Sequence, residues 1–447
     1  MFKKIIAILA SFVLIFTLTA CNGSNTDKGG VGDVSSKTDM ELPDYKPTKD
    51  VVIELTEGDP ALYDDPTNWA YYLNSKLKAV YGCEIECIRV SHELFPTKAA
   101  QLVLSGQAPD LMQYREQDDP SFIKGGIVQP VDDLFDFSHP LWAPLKDINE
   151  QFRYKDGKLY SMIRAVRNEG YTYYWLEDLQ ELGLESPRDL YFKGEWTWSK
   201  FLDYAKKLTV KSTDGTVSRY GGTVNNDFHA ITGQSYVKFA DGEFTNNLRN
   251  SELAEFYNSL NTALFQEKVL EASTSIITSF NSHTVSMALD NRKMFENHAK
   301  ELWSQGLIDF APSPKWDGAD KYYVPAGYGS SWIAKDAPNR EGAAAVFAIH
   351  CYLYYEHDEG YNKFSDSGEK RKYEGDYDTV DKLVSEMLFN TDNTFELVLI
   401  RDAGLGTNWS NGQRLEFVRG ATRYNKSWAS LVESNYPLLN AAINETK

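Results

Sequence analysis

Apolar residues open the folded part of the chain in a short run, Val51-Val52-Ile53-Glu54-Leu55, that reads as a strand. A polar loop from Thr56 to Asp65 follows. Trp69, Leu73, Leu77 and Val80 then recur at helical spacing until Gly82, with Asp65 placed to cap the helix and Pro66 suited to its first turn. Cys83 to Val90 reads as a second strand, Ala99 to Leu104 as part of a helix, and Asp110-Leu111-Met112 as a short buried strand. The order β-α-β-α-β favours a parallel sheet with helices on its faces.

After Asp132 the pattern loosens. Gly157-Lys158-Leu159-Tyr160 and the aromatic run Tyr171-Thr172-Tyr173-Tyr174-Trp175 predict a new sheet. Trp196-Thr197-Trp198-Ser199 opens a helix in which Trp198, Phe201, Leu202, Ala205 and Leu208 share one face, which makes these tryptophans core residues rather than ligand contacts. Asp214-Gly215 and Asp241-Gly242 mark turns. Val285 to Leu289 reads as a strand ending at Asp290-Asn291-Arg292. Tyr322 to Ala334 reads as two extended segments around a glycine-rich turn at Gly327 to Trp332. Arg340 to Tyr352 reads as an alanine-rich helix, and the last hundred residues as mainly helical. No repeat of fixed period is present.

The N-terminus carries a different kind of pattern. Lys3 and Lys4 precede an apolar stretch, Ile5 to Leu18, that is short for a membrane span and reads as a signal peptide over residues 1–20. Leu18-Thr19-Ala20-Cys21 resembles the lipobox of bacterial lipoproteins, which implies cleavage before Cys21 and lipid on its thiol. From Cys21 to Pro47 almost nothing apolar is available to bury, so residues 21–47 are expected to act as a tether. No second long apolar run follows, so the expected protein is anchored to a membrane and not embedded in it.

Residues 48–447 exceed what one core usually holds, and two lobes are expected. With 46 basic and 64 acidic residues the net charge is −18, without a basic block, which argues against nucleic acid as a ligand. Three further cysteines remain. Along a strand, Cys83 and Cys87 would stand roughly 13 Å apart, outside disulfide reach. Cys351 has no near neighbour in sequence, and the Cys-x3-Cys spacing lacks further zinc ligands.

Catalytic signatures are missing: no Gly-x-Ser-x-Gly elbow, no phosphate-binding loop, no His-Glu-x-x-His helix and no EF-hand loop. His92-Glu93 lacks the second histidine of a zinc helix and reads as a surface pair. A glycoside hydrolase stays open as the alternative, because two carboxylates flanking a bond leave no sequence pattern.

Four segments, in order, resemble the extracellular solute-binding proteins of the family that includes maltose-binding protein. They are Glu57-Gly58-Asp59 after the first strand; Phe95-Pro96-Thr97-Lys98 with Ala108-Pro109-Asp110-Leu111-Met112-Gln113-Tyr114; Gly126-Ile127-Val128-Gln129-Pro130-Val131-Asp132-Asp133-Leu134; and Thr284-Val285-Ser286-Met287 with Ala311-Pro312-Ser313-Pro314 and the strand to Trp332. The resemblance implies an α/β, two-lobe periplasmic-binding-protein-like fold, each lobe a sheet flanked by helices, with a hinge between them. It implies a first lobe of residues 48–163 and 305–353 and a second of 164–304 and 354–447. Trp175-Leu176 departs from the family's Tyr-Asn after the crossing strand.

By the same resemblance the protein is the substrate-binding lipoprotein of an ABC importer, not an enzyme. It would capture a solute, a mono- or oligosaccharide by expectation, and deliver it to permease subunits. Sugars need a flat aromatic face and polar side chains for their hydroxyls. The positions matched for that role are Asp59, Tyr114, Asp118, Glu169, Asp290, Trp332 and Trp409. No metal or cofactor is expected, and a monomer suits a protein that shuttles.

Overall fold

The structure, a computed structural model, describes residues 41–66, 68–273, 275–291, 294, 299–355, 395–399, 405 and 409–446. The expected signal peptide, Cys21 and the expected tether as far as residue 40 lie outside them. Residues 41–47, expected to belong to the tether, lie along the first lobe. Leu42 and Tyr45 are half-buried there, the Tyr45 hydroxyl donates to Leu134 O at 2.5 Å, and Tyr81 donates to Pro43 O at 2.8 Å. Two apolar side chains are enough to dock this stretch.

Strand β1 (Val51–Thr56) leads through a turn into α1 (Trp69–Tyr81). The helix is capped by Asn68, whose side chain accepts from Ala70 N at 3.0 Å, not by Asp65; Gly82, with φ 71°, ends it. Strand β2 (Glu84–Arg89), helix α2 (Phe95–Leu104), strand β3 (Leu111–Gln113) and helix α3 (Asp119–Lys124) follow. Both β2 and β3 lie parallel to β1, in registers Val51↔Glu84 and Glu54↔Leu111, as the alternating pattern predicts. Asp110 secures this arrangement: its buried carboxylate accepts from Ile53 N at 2.8 Å and Asn339 N at 2.6 Å.

Tyr154 to Gly157 forms a turn, Lys158 to Tyr160 form no strand, and β4 (Ser161–Asn168) after them stays on the first sheet. The second sheet begins with β5 (Tyr171–Trp175), buried at all five residues. Helix α4 (Trp198–Leu208) buries Trp198, Phe201, Tyr204, Ala205 and Leu208, so the indoles of Trp196 and Trp198 lie in the core as their spacing predicts. Next come β6 (Gly222–Val224), the hairpin of β7 (Val237–Ala240) and β8 (Glu243–Asn246), helix α5 (Ser251–Asn261), β9 (Leu270–Glu271), β10 (Met287–Asp290) and β11 (Ile308–Pro312). These give a five-stranded sheet in the order β9-β6-β10-β5-β11.

One strand, β12 (Tyr322–Ile333), replaces the two segments and turn expected there. It stays extended through its glycines because β4 pairs with it from Ala326 to Trp332, with only a bulge at Gly329/Ser330. Helix α6 (Arg340–Tyr355), strand β13 (Phe395–Leu399) and helices α7 (Asn411–Thr422) and α8 (Trp428–Thr446) complete the described chain. The first sheet runs β13-β12-β3-β1-β2, with β4 on the other side of β12. The first lobe has a core on each face of its sheet, one beneath α1 and α6, the other beneath α2. The second lobe has a single larger core that takes in Phe417, Trp428 and Leu439 of α7 and α8.

The chain crosses between sheets at Glu169-Gly170 and again over residues 313–321, and β13, within the stretch 354–447 expected in the second lobe, pairs instead with β12 on the first sheet. The boundaries expected at 163 and 305 lie upstream of these points, because β4 pairs wholly with β12 and β11 pairs with β5. A Cβ on Gly170 would lie 2.7 Å from the Pro325 ring and 2.9 Å from Ser313 Oγ, so only glycine lets the two crossings touch.

Candidate functional site

Strand direction decides where a site can form. Thr56 of β1 and Gln113 of β3 end at the same edge of the first sheet, and it is towards this edge that β4 leaves and β12 arrives. On the second sheet Val224 and Asp290 end the parallel strands β6 and β10, and Asp290 pairs with Tyr171, where β5 enters. Pro312, where β11 leaves, pairs with the same Tyr171. Both sheets therefore turn their carboxyl ends towards the crossings, which is where open α/β sheets hold ligands.

The first-lobe edge is built around Arg115. Its buried guanidinium lies 3.2 Å from Glu57 Oε1 and 2.9 Å from Asp118 Oδ2, donates to His92 O at 2.7 Å, and stands 5.0 Å over the Phe95 ring. His92 is exposed, as is Glu93, in keeping with a surface pair, and it also faces Glu57 at 3.1 Å and Gln117 at 3.2 Å at the rim of this cluster. Gln113 Oε1 accepts from Glu57 N at 2.8 Å, which fixes the turn leaving β1.

Burial pushes the Asp118 carboxyl up to about 6; Arg115 and His92 pull against this and Glu57 adds to it. The folded protein thus holds the Asp118 proton more tightly than the unfolded chain does. The stability it contributes is fully present below the unfolded value near 4 and is lost as pH rises through about 6. Asp118→Asn is expected to remove this component, worth about 3 kcal/mol across that window. Denaturant unfolding of both proteins at pH 4 and pH 7 checks it: equal pH dependence would show that Asp118 titrates normally.

Beside the cluster, Tyr114 is half-buried, with its ring 4.7 Å from Trp332 and 5.8 Å from Tyr328. Tyr328 donates to Glu116 Oε1 at 2.5 Å. Glu169 is half-buried at the crossing: its N–H donates to Pro325 O at 2.8 Å, and its side chain lies so close to Gly327 that a Cβ there would stand 3.2 Å from Oε1. On the second lobe, Asp290 Oδ1 accepts from Asn225 Nδ2 at 2.6 Å and Asn291 N at 2.8 Å, and the Tyr173 hydroxyl donates to Asn291 O at 3.2 Å. Asp290 is 4% exposed and orders the turn in which Asn225 and Asn291 meet.

The remaining expected positions make contacts of other kinds. Asp59 is exposed and caps a short helical turn, accepting from Ala61 N at 3.2 Å, with Arg89 3.6 Å away. Trp332 and Trp409 are both 0% exposed. Trp332 packs on Tyr114 and Phe122 and donates to Asp119 Oδ1 at 3.3 Å, whereas Trp409 packs on Phe417 in the second core. Their aromatic faces are used for packing. Glu57, His92, Arg115 and Asn225 belong to the two edges but were not among the expected contacts.

Glu177, Asp178 and His283 also come together among the described residues. Here the two imidazole nitrogens face different carboxylates, Nε2 towards Asp178 at 2.9 Å and Nδ1 towards Glu177 at 3.4 Å, and Arg219 lies 2.6 Å from Asp178. Trp175 stacks 4.0 Å from the imidazole, so the ring is held between carboxylates at its nitrogens and an indole at its face. The described cysteines, Cys83, Cys87 and Cys351, are free. No helix among the described residues is long and apolar enough to cross a membrane.

Two sheets joined by crossing segments, each with its polar carboxyl edge turned towards those crossings, define the fold of a two-lobed binding protein. Residues 63–348 match the bacterial extracellular solute-binding protein family, and the chain belongs to it. Solved structures with the same fold include a cyclo/maltodextrin-binding protein complexed with maltotetraose (16% identity, TM-score 0.59, covering 88% of this chain and 97% of that one). An ABC substrate-binding protein from Listeria monocytogenes in complex with cycloalternan gives 15%, 0.57, 89% and 98%. UspC of M. tuberculosis gives 13%, 0.60, 88% and 100%. No curated protein matches the sequence.

Proposed function

We propose that the protein captures a carbohydrate, most simply an oligosaccharide, between its two lobes and delivers it unchanged to the permease of an ABC importer. The observation that carries this reading is the Tyr114 ring, braced by Trp332 and set beside the Glu57, Arg115 and Asp118 cluster at the carboxyl edge of the first sheet, while Asn225, Asp290 and Asn291 meet at the carboxyl edge of the second. A flat ring beside charged acceptors and donors suits the C–H face and the hydroxyls of a pyranose. Tyr114, Asp118, Glu169 and Asp290 are the sequence-derived contacts this reading keeps, with Glu57 and Asn225 added. The maltotetraose and cycloalternan bound by two of the similar structures support the ligand class.

Cys21 would carry the lipid that holds the protein on the outer face of the membrane. Cys21→Ser should then appear in the medium instead of the membrane fraction; retention on the membrane would remove the anchor.

The binding test is the melting temperature of the protein with a panel of mono- and oligosaccharides, followed by chromatography of each mixture. A sugar at a hundred times its dissociation constant should add about 2.7 kcal/mol, a shift of a few degrees. Stabilisation with the sugar intact supports the reading. No shift with any sugar sinks the carbohydrate assignment, and cleavage products would replace the receptor with a glycoside hydrolase.

A further inference from the structure

We propose that Tyr154 and Lys155 of the first lobe and the turn between β7 and β8 of the second form a clasp that holds the lobes together, so that its strength sets the share of ligand-free molecules with a closed cleft.

Asp241 (φ 53°) and Gly242 (φ 76°) make the tight two-residue turn of the hairpin. That turn rests on the first lobe so closely that a Cβ on Gly242 would stand 2.2 Å from Lys155 N and 2.4 Å from the Tyr154 carbonyl carbon. The Tyr154 ring lies 5.1 Å from Phe239 and 6.2 Å from Phe244, one residue from each hairpin strand, and Lys155 pairs with Glu243. Backbone packing, aromatic contact and an ion pair thus meet in one place. Nearby, Lys124 of α3 donates to Glu445 O near the end of α8 at 2.6 Å, a second contact between the lobes.

Each half of the clasp is continuous with an edge of the cleft. The Tyr154 hydroxyl donates to Asp119 Oδ2 at 2.5 Å, next to Asp118 of the Arg115 cluster. The hairpin follows residues 226–232, the turn leaving β6 beside Asn225. A rotation about the crossings at Glu169-Gly170 and 313–321 that opens the cleft parts contacts on the cleft side of the hinge, and this contact joins segments that belong to opposite cleft edges. Opening therefore breaks the clasp, and closing remakes it.

Small-angle X-ray scattering of the full chain without ligand tests this independently of what the protein binds. Tyr154→Ala and Gly242→Val are each expected to shift the scattering towards separated lobes, with a larger radius of gyration at unchanged circular dichroism. Lys155 is exposed and Glu243 half-buried, so Lys155→Glu should fold normally while setting like charges face to face. It should favour the open form about two- to fivefold, the range for an exposed pair, and the Lys155→Glu/Glu243→Lys double variant should restore the wild-type curve. Scattering that Tyr154→Ala and Lys155→Glu leave unchanged, or make more compact, overturns the proposal.

Discussion

Arg115→Met is expected to lower the unfolding free energy by about 3–5 kcal/mol, the usual loss when one member of a buried ion cluster is removed. The guanidinium is 7% exposed and stands between two carboxylates that have little water to turn to, Asp118 at 10% and Glu57 at 26%. Methionine keeps much of the packing over Phe95 but takes the guanidinium from Asp118, leaves Glu57 with His92 alone, and leaves His92 O without its donor. Arg115→Lys should recover only part of the loss, since one ammonium cannot repeat the fork that meets Glu57, Asp118 and His92 together. Urea unfolding at pH 7 measures the effect. Adding Asp118→Asn to Arg115→Met should return some of the stability, because the two changes share one network. A stable Arg115→Met protein would mean that the carboxylates find water or protons without help, and the cluster would lose its part in shaping the ligand edge.

The same residues show what the sequence makes legible. Amphipathic spacing predicts α1, α2 and α4, and apolar runs predict β1, β2 and β3, because these elements bury one face each and periodicity records that directly. Periodicity says little where a strand is held by partners remote in sequence. Tyr322 to Ile333 looks broken by Gly327 and Gly329, yet β4, β3 and β13 together keep it extended. Lobe boundaries slip for the same reason: pairing of β4 with β12 and of β11 with β5 joins residues more than a hundred positions apart.

The expected contacts divide along a different line. Tyr114, Asp118, Glu169 and Asp290 lie at the carboxyl edges or a crossing because their segments end strands or join the sheets, and strand ends have fixed places in this fold. Arg115 and His92 escaped because their importance lies in partners: a lone arginine among acids, and a histidine beside a glutamate, carry no pattern until the turns after β1, β2 and β3 converge. Asp110 belongs to a segment shared with the family, yet its carboxylate is spent on Ile53 N and Asn339 N. A matched motif can therefore mark a fold constraint as readily as a ligand contact. Asp59 makes the same point, since a capping bond accounts for it.

Trp332→Ala is expected to reduce stability by about 3–5 kcal/mol, as large-to-small changes of fully buried aromatic residues do. The indole is 0% exposed, its ring meets Tyr114 at 4.7 Å and Phe122 at 4.9 Å, and its N–H donates to Asp119 Oδ1 at 3.3 Å. Alanine would open a cavity behind Tyr114 and remove a bond to a carboxylate that also accepts from Tyr154. Trp332→Phe should keep most of the volume, lose only that bond, and cost far less. If Trp332 braces Tyr114 and does not touch ligand, affinity for a stabilising sugar should follow the Tyr114 ring: Tyr114→Ala should abolish most of it, and Trp332→Phe should leave it nearly intact. Titration calorimetry of the two variants beside their melting curves separates the roles. A Trp332→Phe protein that stays stable but loses affinity as severely as Tyr114→Ala would place the indole itself against the ligand, in a conformation where the first-lobe edge has opened to expose it.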